Sequence, residues 1–368
     1  MRSLRRLSVI ALVLLVGTRP ARAQDSQFGI NGLGTPGRWE SVRARTTGGA
    51  FAAFDAASAL ADVSLADVGT LTATAIGASS YRSVSSPGGK ANLQSARFPL
   101  FTVAGAVSKR VIVGGGFSTY LDNSYEVVTR DSALLRGAIV PFTDNIASDG
   151  GISDIRVAAA ARLGRALALG LGIHAMTGSA RMTAVRTFGD STVYATVRDS
   201  QTVRKTGFGL SASALMSPSP ALSIVAFGRA DGHFKTKVDD VTTGENDLPN
   251  MIGGAVRVVL SPFARAAGSV AWRSWSTSGP EASNTINWSA GLELGSTGNA
   301  LRLGGRGGHL PFGPGGNAPS EWGVAAGMGR TFSGGHGILD FGVERLTRSG
   351  SGLHEGVWTA LLGLTIRQ

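Results

Sequence analysis

The sequence predicts an all-β protein: a transmembrane antiparallel β-barrel of about 14 strands with an N-terminal plug segment. Three observations support this prediction: an export signal at the start, apolar residues that recur at a period of two, and connections that alternate between short and long. We expect residues 1–23 to form the signal peptide, residues 24–67 the plug and residues 68–368 the barrel.

The first 23 residues have the three parts of a secretory signal. Basic residues precede an apolar run, Leu7–Val16, and Ala21-Arg22-Ala23 has the small-x-small spacing of a cleavage site. The run is about half as long as a membrane-spanning helix, which favours cleavage after Ala23 over an N-terminal anchor. Loss of the signal's five arginines takes the formal net charge from +11 to +6. The remaining charge is dispersed, so we expect no nucleic-acid partner.

Composition limits the number of architectures that are possible for the exported part of the chain. The chain contains no cysteine, so its fold must be stable without disulfides. No later apolar run approaches 18 residues, yet 43% of the residues are hydrophobic. Because only helices and closed barrels span a bilayer, the chain is either a soluble exported β-protein or a barrel.

The segment from Ile155 to Ala175 carries the strand signal. Its odd positions are mostly Ile, Val, Leu and Ala, and its even positions include Arg156, Arg162 and His174. A helix over 157–169 is the alternative, but the alternation continues through Gly170 and Gly172, which disfavour a helix. Two antiparallel strands with one lipid-facing side are therefore predicted, although a soluble sandwich would show the same alternation.

The connections along the chain distinguish these two architectures. Long connections are expected near 82–96, 121–151, 189–202, 239–248, 277–283, 310–319 and 348–355, with short turns between them. Strict alternation with an even strand count is typical of outer-membrane barrels. The strand candidates are 69–81, 97–107, 110–120, 152–163, 165–188, 203–216, 221–238, 249–260, 264–276, 284–295, 299–309, 320–331, 336–347 and 356–367.

The lumen side of these strands is predicted to be rich in Gly, Ala and Ser and poor in charge, which indicates a narrow or plugged interior. A turn centred on Thr297-Gly298 would place Glu293 opposite Arg302, and we predict an ion pair between them. His174 is interpreted as a hydrogen-bonded lining residue. The five histidines show no metal-ligand spacing and no catalytic motif was found, so catalytic residues, metals and cofactors are not expected.

Several segments resemble the family of FadL-like outer-membrane transporters of hydrocarbons and fatty acids. They are Arg45–Ala59 (RTTGGAFAAFDAASA), the hairpin from Asp154 to Thr183, the segment from Leu248 to Ser276, and LRLGGRGGHLPFGPGG with Glu321-Trp322-Gly323 and Leu339–Gly342. The C-terminal pattern also resembles the PorV/PorQ branch, which is associated with type IX secretion. The resemblance implies a 14-stranded barrel with an N-terminal plug, in the outer membrane, that passes hydrophobic molecules through a gap in its wall.

The sequence departs from the family pattern at two places. Leu60-Ala61-Asp62-Val63 stands where the family usually has Asn-Pro-Ala, and the chain ends in Thr365–Gln368 without a terminal aromatic residue. Since a kink in the family's third strand opens the gap, Gly114, Gly115 and Gly116 are candidates for a lateral gate. The alternative is that these glycines make room for the plug.

The favoured function is passive passage of hydrophobic small molecules. Phe51, Phe54 and Leu60 of the plug are candidate ligand contacts, with packing of the plug against the wall as the alternative. The second possibility is a non-transporting barrel that binds a secretion or assembly protein, above all through 121–151. A barrel-embedded hydrolase ranks last and would require Ser, His and Asp side chains that cluster in space. Expected partners are outer-membrane lipid, hydrophobic molecules and that secretion or assembly protein.

Overall fold

The protein is described by a computed structural model over residues 26–87, 89–279, 281–296 and 298–368, with Pro314 described in its backbone alone. The predicted signal at residues 1–23 lies outside the described residues, as does Thr297. The strands are β1 (Thr35–Pro36), β2 (Thr72–Ser86), β3 (Gly89–Ala106), β4 (Val111–Asp122), β5 (Tyr125–Leu135), β6 (Ala138–Arg162), β7 (Leu167–Phe188), β8 (Val197–Ser219), β9 (Leu222–Asp231), β10 (His233–Val238), β11 (Val241–Asp247), β12 (Met251–Ser261), β13 (Ala264–Arg273), β14 (Thr285–Ser296), β15 (Asn299–His309), β16 (Ser320–Phe332), β17 (Gly337–Gly350) and β18 (Leu353–Arg367).

Fourteen of these strands form a closed antiparallel barrel, which confirms the predicted fold class. The wall follows chain order through β2, β3, β4, β6, β7, β8 and β9, continues through β12 to β18, and closes where β18 pairs with β2. Strands β5, β10 and β11 extend the wall at one end: β5 pairs with β6 beyond β4, and β10 pairs with β8 beyond β9 and with β11. Strand β1 lies inside the barrel, where it pairs with β4.

The outer face of the barrel is apolar, as the alternation predicts. Side chains that point outward on β7 include Leu169, Leu171 and Ile173, while His174 on the same strand points inward and is buried. Trp288, Trp322 and Trp358 are also exposed on the outer face. Aromatic residues of this kind mark the membrane interfaces of outer-membrane barrels.

The two ends of the barrel differ. The end with the short connections, here called the turn end, also holds the start of β2 and the end of β18. The opposite end, here called the hairpin end, carries long strand extensions instead of the loops that the sequence led us to expect. The prediction of a loop at 121–151 is wrong, because β5 and the first half of β6 form a hairpin there. Segments 82–96, 239–248 and 348–355 are also mostly strand.

The segment before β2 fills the barrel interior. It contains α1 (Val42–Thr46) and 3-10 helices at Gln27–Ile30, Ala52–Phe54 and Asp62–Asp67; further 3-10 helices lie at Trp275–Ser278, Pro314–Gly316 and Ser333–Gly335. Ser41 caps α1, since its Oγ accepts a hydrogen bond from the Ala44 N–H at 3.0 Å. Phe51, Val63 and Leu65 of this plug are almost fully buried, and Leu65 packs toward β4.

The interior is rich in charge, which corrects the expectation of a Gly, Ala and Ser lining with few charges. Arg156, Arg302, Glu344 and Glu355 are all buried on the inner wall. Small residues are present beside them because the plug backbone approaches the wall closely. A Cβ on Gly304, for example, would lie 2.1 Å from the Thr47 carbonyl carbon.

No helix in the described part of the chain is long and apolar enough to cross a membrane.

Candidate functional site

The first contact between plug and wall surrounds Glu293 on β14. This carboxylate is fully buried and accepts hydrogen bonds from Arg43 Nε at 2.8 Å and Arg43 Nη2 at 3.0 Å. Arg265 Nη1 and Arg302 Nε on the neighbouring strands donate to it at 2.8 and 3.0 Å. The Glu293–Arg302 pair predicted from the strand register is therefore present, and the plug residue Arg43 joins it from inside.

A second contact surrounds Glu344 on β17. Arg38 Nη1 of the plug donates to Glu344 Oε1 at 2.7 Å, and Arg45 Nη2 of α1 donates to the other oxygen. Arg38 Nε also donates to Glu40 at 2.9 Å. Burial by itself would raise the pKa of Glu40, but Arg38 and Arg306 outweigh it and hold that pKa below its ordinary value. Glu40 is therefore ionised at neutral pH.

A third contact is made by Asp62, within the Leu60–Val63 segment that replaces the family's Asn-Pro-Ala. Arg156 Nη1 of β6 donates to Asp62 Oδ1 at 3.1 Å, and Ser211 Oγ of β8 donates to Oδ2 at 2.5 Å. The backbone N–H of Val63 donates to Ser213 Oγ at 2.9 Å. This segment thus docks on the wall through a carboxylate, although it departs from the family motif.

Ser211 belongs to a Ser-His-Asp chain that the sequence reasoning missed. His174 Nε2 lies 2.8 Å from Ser211 Oγ, and His174 Nδ1 lies 2.8 Å from Asp154 Oδ2. Arg229 Nη1 donates to the same Asp154 oxygen at 2.5 Å. The strand register could have indicated this grouping, because Arg156 pairs with His174 on the next strand and Ser211 with Gly172 on the one after.

The geometry of this chain suits a latch better than a catalytic triad. A serine hydroxyl has one proton, and Ser211 donates it to the plug carboxylate of Asp62 rather than to His174 Nε2. A general base needs the opposite arrangement. The plug carboxylate also lies directly beside the serine: a Cβ on Gly172 would lie 2.5 Å from Ser211 Oγ and 2.8 Å from both Asp62 oxygens.

The wall is incomplete between β3 and β4. These strands pair only from Leu100–Ser118 to Ala106–Ile112, in the half of the wall nearest the turn end. Pairing stops next to Pro99, which has no N–H to donate and lies where the β2–β3 register shifts. Toward the hairpin end β3 stays paired with β2, and β4 with β6, so a lateral opening separates them.

The plug closes this lateral opening from inside. Thr35 and Pro36 of β1 pair with Asp122 and Leu121 of β4, and the Gly37 N–H donates to the Tyr120 carbonyl at 2.8 Å. A Cβ on Gly37 would lie 2.1 Å from the Thr119 carbonyl oxygen, so only glycine allows this approach.

A side-chain bridge also crosses the opening. Arg97 Nη1 on β3 lies 2.7 Å from Asp122 Oδ2 on β4. The same arginine donates from Nη2 to Ser124 Oγ at 3.0 Å, just beyond the end of β4. Strand β1 and this ion pair together occupy the place of the missing strand pairing.

The gate candidates Gly114, Gly115 and Gly116 lie beside this opening rather than in it. All three are paired with β3 on one side and with β6 on the other. A Cβ on Gly114 would lie 2.9 Å from Leu65 Cδ2 of the plug, and one on Gly116 would lie 2.0 Å from the Phe101 carbonyl oxygen. Gly114 thus provides space for the plug and Gly116 for the neighbouring strand.

Two cavities lie on opposite sides of the plug. The cavity at the hairpin end has a volume of about 840 Å³ and is lined by residues of β5 to β8, among them Tyr125, Val128, Phe142 and Phe188. Arg186 stacks over the Phe142 ring at 3.9 Å and pairs with Asp144. This cavity combines aromatic surface with charge at its rim.

The cavity at the turn end has a volume of about 650 Å³. Its lining combines apolar plug and wall residues, such as Val68 and Ile338, with five arginines and three aspartates. Of the three candidate ligand contacts in the plug, Phe54 lines this cavity and lies under Arg257 at 4.9 Å. Phe51 is fully buried in the core, where Arg43 stacks over its ring, and Leu60 packs against the same core.

Within the described residues, no three His, Cys, Asp or Glu side chains are grouped so that they could hold a metal ion.

Comparison with known proteins gives structural matches alone. No family model and no curated protein sequence matches the chain. The structure resembles the crystal structure of a Pseudomonas aeruginosa FadL homologue, with a TM-score of 0.64 and 11% identity over 91% of this chain and 99% of that one. It also resembles the Pseudomonas putida toluene transporter TodX, with a TM-score of 0.61 and 10% identity over 91% of this chain and 98% of that one. The CymD monoaromatic hydrocarbon channel matches at 0.55 and 10% identity, over 92% and 99%. The chain therefore has the FadL-like fold that its sequence resemblance implies.

Proposed function

We propose that this chain is an outer-membrane channel for passive passage of hydrophobic small molecules, which cross its wall through the lateral opening between β3 and β4. The opening is the observation that carries the proposal: the pairing of β3 and β4 ends at Leu100–Ser118, and a short plug strand occupies the space beyond. A hydrophilic pore would need a continuous wall and a water-filled lumen, whereas a molecule soluble in lipid can use a gap in the wall.

The fold comparison supports the same class of cargo. The neighbours described as a toluene transporter and a monoaromatic hydrocarbon channel share the barrel and cover nearly its whole length. Here, a passing molecule would contact the aromatic cavity at the hairpin end and the Phe54 side of the cavity at the turn end. Burial of about 100 Å² of apolar surface would stabilise it by roughly 2.5 kcal/mol, enough for transient binding along a downhill path.

Passage requires the plug to move, because its contacts seal both the opening and the lumen. Strand β1 must leave Leu121 and Asp122 before a molecule can cross between the strands. The carboxylates Glu293, Glu344 and Asp62 hold the rest of the plug in place. We infer that β1, with its two-residue pairing, is the part that yields first. Gly114 to Gly116 lie on β4 next to the opening, where we propose that they act as a hinge about which the rest of β4 moves when the gate opens.

The location follows from the same proposal. Residues 1–23 direct export and are removed, and the apolar outer face with its exposed tryptophans contacts the lipid of the outer membrane. The turn end then faces the periplasm and the hairpin end faces outward.

Uptake by cells tests this function. The chain is produced in cells whose own channel for apolar molecules has been deleted, and accumulation of labelled toluene is measured. We expect faster accumulation than in cells without the chain, and an apolar molecule bound at a fixed ratio in mass spectra of the purified barrel. Equal accumulation together with an empty barrel would contradict the proposal.

A second candidate is a barrel that docks a secretion or assembly protein, as in the PorV/PorQ branch. The tip of the β5–β6 hairpin favours it, because Leu134 and Ile139 are more than 70% exposed there. The two side chains are paired partners across the hairpin, so they form one small apolar surface that a partner protein could cover. If this role holds, one protein co-purifies with the chain, and the Leu134→Asp, Ile139→Asp double variant loses that protein while heat-dependent migration of the barrel on a gel is unchanged. Co-purification that survives the double variant would rule out this hairpin as the contact.

A further inference from the structure

A small cavity of about 100 Å³ lies directly behind the lateral opening. Pro99 of β3, Thr119 of β4 and Pro36 of β1 line it on the side of the opening. Six arginines from the plug and the wall also line it: Arg38, Arg45, Arg82, Arg97, Arg306 and Arg348. A water molecule needs about 10–15 Å³ by a comparable measure, so the cavity has room for a group of several heavy atoms.

The charge of this lining is unbalanced. Against the six arginines it contains two carboxylates, Asp122 and Glu344. Glu40, Glu321 and Glu355 approach these arginines from outside the cavity, which leaves six guanidinium groups against five carboxylates. Concentrated buried positive charge is costly unless it is paired, which favours an anion in the cavity.

Two plug arginines also have donors to spare. The Arg45 side chain is 7% exposed, and its Nε makes no hydrogen bond within the described structure, because the contact with Glu344 uses Nη2. Arg38 Nη2 is likewise buried without an acceptor, since the Glu40 and Glu344 contacts use Nε and Nη1. Buried donors of charged groups are rarely left unsatisfied. The oxygens of a bound anion would accept hydrogen bonds from both of these donors.

We propose that this arginine cavity is a binding site for a small oxyanion, a carboxylate or phosphate group. Guanidinium groups bind both through paired N–H donors in fixed geometry. The group is either a free oxyanion or the head of an amphipathic molecule whose apolar part lies in the lateral opening. An anion here would join plug arginines to wall arginines and hold β1 beside the opening. This proposal is based on the arginines alone, so it holds whether or not hydrophobic molecules pass through the barrel.

Calorimetry on the purified full chain in a non-ionic detergent tests the site at constant ionic strength. The probes are inorganic phosphate, acetate, dodecyl phosphate and laurate, with dodecanol as the uncharged control. Saturable binding of phosphate or acetate assigns a free oxyanion. Binding confined to dodecyl phosphate or laurate, and absent for dodecanol, assigns the head of an amphipathic molecule. Binding of dodecanol as tight as that of laurate, or no saturable binding of any anion, overturns the proposal.

Two matched variants locate the binding. Arg45→Lys keeps the charge beside Glu344 but removes the Nε donor, so we expect affinity to fall about tenfold, the effect of one charge-assisted hydrogen bond. Arg257→Lys, in the cavity at the turn end, should leave affinity unchanged. Equal affinity in all three proteins would place the anion elsewhere and overturn the proposal. If Arg45→Lys fails to fold, protection of the parent protein against heat by the bound probe, relative to chloride, decides instead.

Discussion

Removal of the Glu293 charge should loosen the plug. Glu293 is fully buried and accepts hydrogen bonds from three arginines, of which only Arg43 belongs to the plug. The Glu293→Gln variant keeps the size of the side chain but places an uncharged amide among Arg43, Arg265 and Arg302. Breaking a buried ion pair costs about 3–5 kcal/mol in total. The two hydrogen bonds from Arg43 account for about 2–3 kcal/mol of this cost. Because Arg43 belongs to the plug, their loss lowers the free energy that holds the plug in the barrel by this amount.

The assay uses the absence of cysteine from the chain. A single Ala50→Cys substitution places one thiol at a fully buried plug position, where a maleimide reacts only when the plug opens. A loss of 2–3 kcal/mol should raise the labelling rate about 30- to 140-fold in the Glu293→Gln background.

The matched control is Asp240→Asn, which breaks the Arg204–Asp240 pair at the hairpin end. Both side chains of that pair are more than half exposed, so its loss should change labelling less than about threefold. Heat-dependent gel migration verifies that each variant still forms the barrel. Labelling of the Glu293→Gln variant at the rate of the control would refute the view that buried ion pairs hold the plug.

Three further predictions concern other contacts of the plug. Ser211→Ala removes the latch hydrogen bond to Asp62, and a thiol at Ser64→Cys should then label about tenfold faster, whereas a catalytic serine would instead lose ester hydrolysis on substitution. Gly116→Ala should sharply lower the yield of heat-modifiable barrel, because its Cβ would meet strand backbone, while Gly114→Ala should form the barrel and raise labelling of the plug. The lowered pKa of Glu40 means that its stabilisation is present above its ordinary pKa of 4.5 and is lost as the pH falls below it. Because maleimide reacts with the thiolate, the labelling rate is divided by that of a fully exposed cysteine at the same pH. This ratio should be constant from about pH 8 to pH 5 and rise below about pH 4, and a rise that begins near pH 6 would contradict the prediction.

The wall was predictable from the sequence where one face of a strand meets lipid. There, apolar and small residues alternate without interruption, as from Leu167 to Ala175, and register follows from the turn. The Glu293–Arg302 pair could be predicted for this reason, since both residues lie on strands joined by one short turn. The outward-facing side chains needed no knowledge of distant contacts.

The hairpin end was not predictable by the same rule. Strands β5 and β6 extend beyond the apolar band of the wall, so neither face has to be continuously apolar and the period of two fades. Their turn is Arg136-Gly137, with φ of 52° and 82°, and the Arg-Gly pair lacks the Asn-Gly signature of such turns. A segment that looked like a loop is therefore a hairpin.

The plug contacts were beyond sequence reasoning altogether. Arg43 and Glu293 are 250 residues apart, and Asp62 and Ser211 are 149 apart, so no local spacing indicates that they meet. The charged residues of the inner wall looked sparse because most strands contribute only one or two, although β17 contributes Asp340, Glu344 and Arg348. Their partners lie on the plug, which has little regular secondary structure and takes its path from its contacts with the folded barrel.

The lateral opening is the central claim, and a reversible cross-link tests it most directly. Pro36 and Leu121 are paired partners on β1 and β4, so the Pro36→Cys, Leu121→Cys double variant can form one disulfide at the position that seals the opening. Toluene accumulation is measured in cells that carry this variant, before and after treatment with a reductant. We predict that accumulation falls to the level of cells without the chain when the disulfide is formed, and recovers on reduction. Equal accumulation in the oxidised and reduced states would contradict passage through the lateral opening.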